Sequence, residues 1–101
     1  MHRRFAKWAE QKRRDLDALG VSTEEICLAE GGTKPAARVD HRSSCCMGRV
    51  TVWESGELEA EVLDLRSGEI FLAIHHDLAS EPDFDATLQC YLDGIAVPKQ
   101  R

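Results

Sequence analysis

Cysteine and histidine are the residues in this sequence whose chemistry could serve a metal ion. The candidate group is His41, Cys45, Cys46, His75 and His76, five of the eight such residues in the chain. Thiolates and imidazoles together suit zinc, which prefers four such ligands in a tetrahedral arrangement. Adjacent residues of a strand point to opposite faces of a sheet, so Cys45 and Cys46 should not reach one ion together. The sequence therefore predicts a buried thiol beside an exposed one, with no metal site and no cofactor.

A thiol–imidazole pair drawn from these residues would be the nucleophile and base of a cysteine enzyme. Such a pair also needs a group that orients the imidazole and donors for an oxyanion, and no local signature marks either of them. Glu57, Glu59 and Glu61 could serve as the paired carboxylates of a glycosidase. Carboxylates two apart in a strand are more often a solvated edge. We therefore expect no catalytic residues and no enzymatic activity.

Length, hydropathy and the cysteine pattern indicate the class of protein. The chain has 101 residues, 43% of them hydrophobic, which suits one compact domain over residues 1–101. No apolar run approaches the ~20 residues of a membrane span. The basic residues 1–14 lack the apolar segment of a secretory signal, and the four cysteines lack the spacing of a disulfide framework. These features predict a cytoplasmic protein with reduced thiols and no membrane contact.

Charge is distributed unequally between the two halves of the chain. Residues 1–49 hold ten Lys/Arg and seven Asp/Glu, whereas residues 50–101 hold three and eleven. The acidic half would repel phosphates, so nucleic-acid binding there is disfavoured. An acidic surface favours a basic partner, or a partner that itself normally binds anions. Acids also keep small proteins soluble, which is the commoner reason for any single one of them.

Three runs rich in β-branched, aromatic and aliphatic residues form the centre of the chain, at residues 47–54, 57–65 and 69–77. Ser-Gly pairs separate them, and glycine supplies the positive φ of tight hairpin turns, so the strands should run antiparallel. The apolar pattern changes phase near Val62 and Leu63, which a β-bulge or burial on both faces would explain. The third run is apolar on both faces, which suits a central or doubly covered strand.

Amphipathic segments at both ends of the chain predict helices that cover the sheet. The first spans residues 2–19, with Gly20 as its C-terminal cap. The second should have Ser80 as N-cap and end before Pro98. The residues expected at helical spacing are Phe5, Trp8, Ala9, Lys12, Leu16 and Leu19 in the first helix, and Phe84, Leu88, Tyr91, Leu92 and Ile95 in the second.

Residues 21–35 have the weakest pattern. Residues 26–29 are a possible short strand, and Ser22 could instead cap a helical turn. Residues 31–35 read as a turn, and residues 36–41 as a further strand. The expected fold is α+β: an N-terminal helix, an antiparallel β-meander of four or five strands, and a C-terminal helix packed on the sheet.

A binding surface is predicted around Trp53, which ends the first strand of the meander. An aromatic residue beside acids on a sheet face is typical of a binding hot spot, and burial under a helix is the alternative at even odds. Glu57, Glu59 and Glu61 share one strand face, which Thr51 and Trp53 join if the hairpin register places them opposite. The predicted partner-binding residues are Thr51, Trp53, Glu54, Glu57, Glu59 and Glu61.

The run from Arg49 to Gly56, followed by residues 59–64, Ser67-Gly68-Glu69 and a histidine before an acidic helix, resembles the TriTu-type immunity proteins. The resemblance covers residues 36–93, with a weaker similarity in the first helix. Proteins of this type are antidotes to an ADP-ribosyltransferase toxin domain of an Rhs polymorphic toxin, which is delivered by type VI secretion and modifies elongation factor Tu. The resemblance implies a cognate toxin domain as partner, which the chain blocks from NAD or from its target protein.

Two other classes of function compete with this one. The first is a small Cys/His metal-binding or thiol enzyme domain, and the second is an adaptor or chaperone of a secretion system. The resemblance implies a protein that is not an enzyme and needs no cofactor.

Overall fold

The computed structural model describes residues 1–96 of the chain. In chain order its elements are α1 (His2–Ala18), β1 (Ser22–Ala29), β2 (Ala36–Arg42), β3 (Cys46–Trp53), β4 (Glu57–Asp64), β5 (Ile70–Asp77), α2 (Phe84–Thr87) and α3 (Gln89–Ala96). The predicted α+β class is confirmed. The predicted helix stop at Pro98 and the tail of residues 99–101 lie outside the described residues.

The five strands form one antiparallel sheet in the order β1-β2-β3-β4-β5. Each strand pairs with the next along the chain because short links join them. Gly56 and Gly68, at φ 101° and 78°, provide the positive φ in the last two hairpins. The predicted meander is therefore confirmed, with five strands.

β1 comes from the segment whose pattern was weakest. It is a strand of eight residues, so the alternative of a helical turn capped by Ser22 is wrong. The strand interpretation of residues 26–29 was right but too short. Residues 31–34 form the bend that leads to β2, and Gly32 has φ 88°. Four charged or polar side chains among the first four residues of β1 hid the apolar pattern of its second half.

β5 lies at the edge of the sheet, which contradicts the expectation of a central or doubly covered strand. Its Ile70 and Phe71 are each 53% exposed. The register between β4 and β5 shifts between Val62 and Leu63, so the predicted β-bulge is confirmed. Phe71 is the extra residue of that bulge and lies on the side of α3. The extra residue puts Ile70 on one side of β5 and Phe71 on the other, so the strand has apolar residues on both sides without being covered on both.

One face of the sheet is covered, with α1 over β1, β2 and β3, and α3 over β3, β4 and β5. Phe5 of α1 contacts Phe84 of α2 edge-on at a centroid distance of 5.5 Å, and Trp8 lies 5.8 Å from Phe84. Lys12 also forms a 2.7 Å ion pair with Asp85, which joins α1 to α2 at the surface. The two helical ends of the chain therefore share one core over the sheet.

The ends of the helices differ from the expectations in two places. α1 stops at Ala18, so Leu19 lies past its end and is 62% exposed rather than part of the apolar face. Asp83, not Ser80, caps α2, and its carboxylate accepts a 3.1 Å hydrogen bond from the Ala86 backbone N–H. The reason is Pro82, which disfavours helical backbone in the residue before it, so the helix starts only after the proline.

A buried polar pair attaches α3 to the sheet. A 2.8 Å hydrogen bond joins the Tyr91 hydroxyl to Nδ1 of His41 in β2, and both side chains are almost completely buried. Gly48 of β3 lies opposite His41 in the sheet. A Cβ atom at Gly48 would lie 2.5 Å from the Tyr91 hydroxyl oxygen, so only glycine leaves room for the tyrosine there.

Candidate partner-binding site

The sheet face opposite the helices, called here the open face, carries alternate residues of all five strands. Strand register arranges these residues in rows that run across the sheet. From one end to the other, the rows are Ser22, Arg42, Met47, Leu63 and Ile70; then Glu25, Asp40, Arg49, Glu61 and Ala73; then Cys27, Arg38, Thr51, Glu59 and His75; and last Ala29, Ala36, Trp53, Glu57 and Asp77.

Five of the six residues predicted to bind a partner lie on the open face. Thr51 lies directly opposite Glu59, and Arg49 directly opposite Glu61, in the β3–β4 ladder. Trp53 is half-buried on this face and is not under a helix. The sixth residue, Glu54, lies in the exposed turn between β3 and β4. The register that the sequence could not fix therefore does bring Thr51 and Trp53 to the glutamates.

Trp53 forms a small cluster with the turn that precedes β2. The ammonium of Lys34 lies 5.0 Å from the centre of the indole ring, a cation–π distance. The same ammonium forms a 3.0 Å ion pair with Glu57. The Glu54 backbone N–H donates a 2.9 Å hydrogen bond to the Pro35 carbonyl, which fixes the β3–β4 turn against this segment. A partner that binds the indole must therefore also meet Lys34.

Positive charges interleave with the acids on β2 and β3. Arg49 donates to both oxygens of Asp40, at 2.8 Å and 3.4 Å, and this bonding raises the pKa of Arg49 further above its ordinary value. Arg38 lies 3.6 Å from Asp40 and 3.3 Å from Glu25. The open face is therefore a lattice of alternating charges on this side, not a uniformly acidic surface.

Negative charge remains in excess on β4. In the described part of the chain, the ion pair of Glu59 is with the exposed His75, 3.6 Å away. Within residues 1–96, no ion pair within 4 Å engages Glu61, although Arg49 lies across the ladder from it. Glu57 is compensated by Lys34. The acidic character predicted for the whole strand thus concentrates at Glu59 and Glu61.

An apolar row at the other end of the open face was missed in the sequence. It consists of Met47, 38% exposed, Ile70, 53% exposed, and the half-buried Leu63. Together with Asp40, Arg49 and Glu61 they line a shallow cavity of about 170 Å³. The apolar residue at Leu63 was the available signal, because ordinary alternation puts it on the same face as Glu61. The extra residue Phe71 in β5 then places Ile70 opposite Leu63.

The cysteines and histidines are not gathered in one place. His41 is buried between β2 and α3, whereas His75 is exposed on the open face. In the part of the chain that the structure describes, no group of three His, Cys, Asp or Glu side chains could hold a metal ion. The same part contains no helix with the length and apolarity that crossing a membrane requires.

The two adjacent cysteines differ from the expectation. Cys45 and Cys46 do not point to opposite sides, because their sulfur atoms lie 3.4 Å apart. Cys45 belongs to the bend before β3, where the backbone is not extended and the alternation of a strand does not apply.

Comparison with known families identifies the chain. The family model for the immunity protein TriTu matches residues 3–94. The chain belongs to the TriTu immunity protein family. The match includes α1 and β1, which extend beyond the residues that carry the resemblance in the sequence. No curated protein matches the chain. A TriTu immunity protein has a toxin protein as its partner, so the open face is the surface to consider for that contact.

Proposed function

We propose that residues 1–101 act as one immunity domain that binds and occludes an ADP-ribosyltransferase toxin domain of an Rhs polymorphic toxin delivered by type VI secretion. The chain acts in the cytoplasm of the cell it protects and has no catalytic activity of its own. The observation that carries this proposal is the TriTu family match over residues 3–94. The geometry of the open face supports a blocking role, since it offers a broad, ordered surface built by all five strands.

The open face is the proposed contact surface for the toxin. The helices and the core occupy the other side of the sheet, so binding at the open face leaves the fold undisturbed. Protein interfaces bury apolar and aromatic side chains together with polar groups that find partners across them. Here the apolar row and Trp53 provide two apolar contact points, and the charged rows lie between them. We therefore assign Trp53 as one anchor and the apolar row as the other.

The acidic residues of β4 account for specificity toward this class of toxin. A site that binds NAD needs basic and amide groups for the pyrophosphate, and carboxylates can compete for those groups. Glu59 and Glu61 can form such pairs without breaking a strong internal one. Glu57 would first have to leave Lys34, 3.0 Å away. Glu59 and Glu61 are therefore the proposed acids, with Thr51 opposite Glu59 and with Glu57 and Glu54 at the rim.

Calorimetry with the cognate toxin domain tests the surface. Trp53→Ala should weaken binding by ~2 kcal/mol, about 30-fold in Kd, as truncation of an aromatic anchor does. Phe71→Ala is the matched control, because it also removes an exposed aromatic ring but lies on the helix side. If Phe71→Ala lost binding while Trp53→Ala bound normally, the interface would lie on the helix side and the proposed surface would be wrong. Circular dichroism of each variant shows that it is folded.

The class of toxin needs a separate measurement. The purified toxin domain should transfer ADP-ribose from NAD to a target protein, and an equimolar amount of this chain should stop the transfer. A toxin that this chain binds and neutralises, but that consumes no NAD, would disprove the proposed class and leave the immunity function intact.

A further inference from the structure

Two neighbouring thiols at the start of β3 are held in a fixed arrangement. The sulfur atoms of Cys45 and Cys46 lie 3.4 Å apart. The Leu65 backbone N–H donates to the Cys45 carbonyl at 2.9 Å, and the Ser43 N–H donates to the Cys46 carbonyl at 2.9 Å. The Cys46 N–H in turn donates to the Ser43 hydroxyl at 3.2 Å. The backbone of both cysteines is therefore fixed by neighbours on two sides. The sulfurs have neighbours of their own, since Cys45 Sγ lies 3.8 Å from the Ser43 hydroxyl and the Cys46 thiol points to the Gly94 carbonyl at 3.9 Å. Backbone and side-chain contacts together preorganise the pair.

The pair borders a cavity at the end of the sheet where α3 lies. This cavity has a volume of about 290 Å³ and is lined by Cys45, Cys46, Asp64, Ser67, Glu69 and Phe71. The half-exposed ring of Phe71 provides an apolar wall beside the two sulfurs. The cavity adjoins Cys46 at one end of β3, whereas Trp53 ends the strand at the other. The site is thus separate from the proposed contact at Trp53.

The distance between the two sulfurs determines the S–X–S bond angle at any atom X that binds both of them. With a bond to sulfur of ~2.3 Å, two sulfurs 3.4 Å apart subtend about 95° at the shared atom. A tetrahedral ion with the same bond length requires a separation of about 3.8 Å, and a linear one about 4.6 Å. An angle near 95° is that of a pyramidal trivalent centre, whose lone pair compresses its bonds.

We propose that Cys45 and Cys46 form a chelating dithiol site for trivalent thiophilic electrophiles, of which a monosubstituted arsenic(III) compound is the representative. The protein supplies two sulfur ligands, and the ligand supplies its own third substituent, which packs beside Phe71. This inference is independent of toxin binding.

The reaction is a condensation that needs no oxidant. An organoarsenic(III) oxide, R–As=O, loses its oxygen as water; the two S–H bonds break, their protons enter that water, and two As–S bonds form. Arsenic stays trivalent and sulfur is not oxidised. The product is neutral, which fits the site, because burial and then the adjacent Cys45 thiol raise the pKa of Cys46 to about 11. A divalent zinc ion would need two thiolates in the same surroundings.

Oxidation to a disulfide fits this geometry less well. Adjacent Cα atoms are ~3.8 Å apart across a trans peptide, below the ~4.4–6.8 Å usual for disulfides. The sulfurs would also have to approach from 3.4 Å to ~2.05 Å. Chelation by one arsenic atom keeps the sulfurs near their present positions. The preorganised pair therefore favours a bridging ligand over a direct S–S bond.

Intact mass spectrometry with phenylarsine oxide tests the proposal. The reduced protein should take up one phenylarsenic group per chain. A small dithiol should remove this group, and a monothiol at equal thiol concentration should leave it in place. Cys45→Ser should weaken binding by about 100-fold or more, because the second thiol of a chelate acts at high effective concentration. Cys46→Ser should have the same effect. If this variant does not fold, because Cys46 is buried, the variant of the more exposed Cys45 decides the proposal.

The double variant Cys27→Ser/Cys90→Ser is the matched control, since it removes the other two thiols and should bind phenylarsine oxide like the wild type. Thermal unfolding gives a second measurement: the adduct should raise the Tm of the wild type and of this control, and leave that of Cys45→Ser unchanged. Binding that survives in Cys45→Ser, that disappears in the control, or that a monothiol reverses would each overturn the proposal.

Discussion

At the scale of single residues, Gly48 determines how closely α3 approaches the sheet. A Cβ atom there would lie 2.5 Å from the Tyr91 hydroxyl oxygen and 2.9 Å from two of its ring carbons. Gly48→Ala therefore has to push the ring outward and stretch its hydrogen bond to His41. We expect a loss of ~1–3 kcal/mol in the free energy of unfolding, as for other overpacked cores, measured by urea denaturation.

Gly31→Ala is the control for this prediction, because no heavy atom lies within 4 Å of the Cβ position at Gly31. It should change the stability by less than about 0.5 kcal/mol. Equal losses in the two variants would mean that the effect comes from the glycine backbone and not from contact with Tyr91.

His41 makes the stability depend on pH. Its burial lowers the pKa to about 4. Asp40 raises this pKa and Arg13 lowers it, both by less than burial does. The unfolded chain, with a histidine pKa near ~6.5, thus binds more protons than the folded chain between these values. Stability is therefore fully present above about pH 6.5 and is lost as the pH falls toward 4. Unfolding in urea should show a loss of about 2 kcal/mol from pH 7 to pH 5.

Comparison with histidine variants isolates this effect. His41→Gln should flatten the dependence between pH 7 and pH 5, whereas His75→Gln, at an exposed position, should leave it unchanged. Glu30 contributes little in this range, because a glutamate of the unfolded chain, with a pKa of ~4.3, takes up few protons above pH 5. The hydrogen bond from Arg3 lowers the folded-state pKa of Glu30 to about 2, so the folded chain takes up none there. A wild-type stability that is equal at both pH values would show that His41 is accessible to protons in the folded state.

At the scale of elements, local patterns predicted most of the fold. Alternation and Ser-Gly turns were sufficient for β3 and β4, since each hairpin depends on residues close in sequence. They misjudged β5, because an exposed edge and a bulge give the same apolar run as a buried strand. They also misplaced the cap of the last helix, where the effect of Pro82 on the preceding residue outweighed the preference of Ser80 for a cap.

The aromatic cluster that joins α1 to α2 is an element-scale contact with a measurable contribution. Phe84 is 5% exposed and meets both Phe5 and Trp8. Phe84→Ala should cost ~3–5 kcal/mol of stability, because it removes a buried ring between two helices and leaves a cavity. Phe71→Ala, which removes a ring that is 53% exposed, is the control and should cost less than about 1 kcal/mol. Thermal unfolding of the two variants compares them directly, and similar losses would place Phe84 outside the core.

At the scale of the whole molecule, the candidate site combines charges that are distant in sequence. The acids of β4 could be predicted to share a face, because positions two apart in a strand do so. Whether Trp53 of β3 joins them depended on the hairpin register, which the sequence left open. The cations that meet the acids could not be predicted. Lys34 reaches Glu57 across 23 residues, and Arg49 reaches Asp40 through the β2–β3 register. Neither ion pair can be predicted from the spacing of apolar residues. The count of charges along the chain therefore overestimated how acidic the open face is.

The remaining excess of negative charge should govern encounter with the toxin. Glu59→Lys/Glu61→Lys reverses the two acids of β4 that lack a strong internal partner, so we expect the association rate to fall by about tenfold and its salt dependence to weaken. Asp15→Lys/Asp17→Lys on α1 makes the same change in net charge away from the open face and should bind nearly as fast as the wild type. Surface kinetics at several salt concentrations measures both variants. If both slow association equally, net charge alone steers the toxin. If the β4 variant binds and protects like the wild type, the acids have no part in recognition, and the apolar row and Trp53 must carry it.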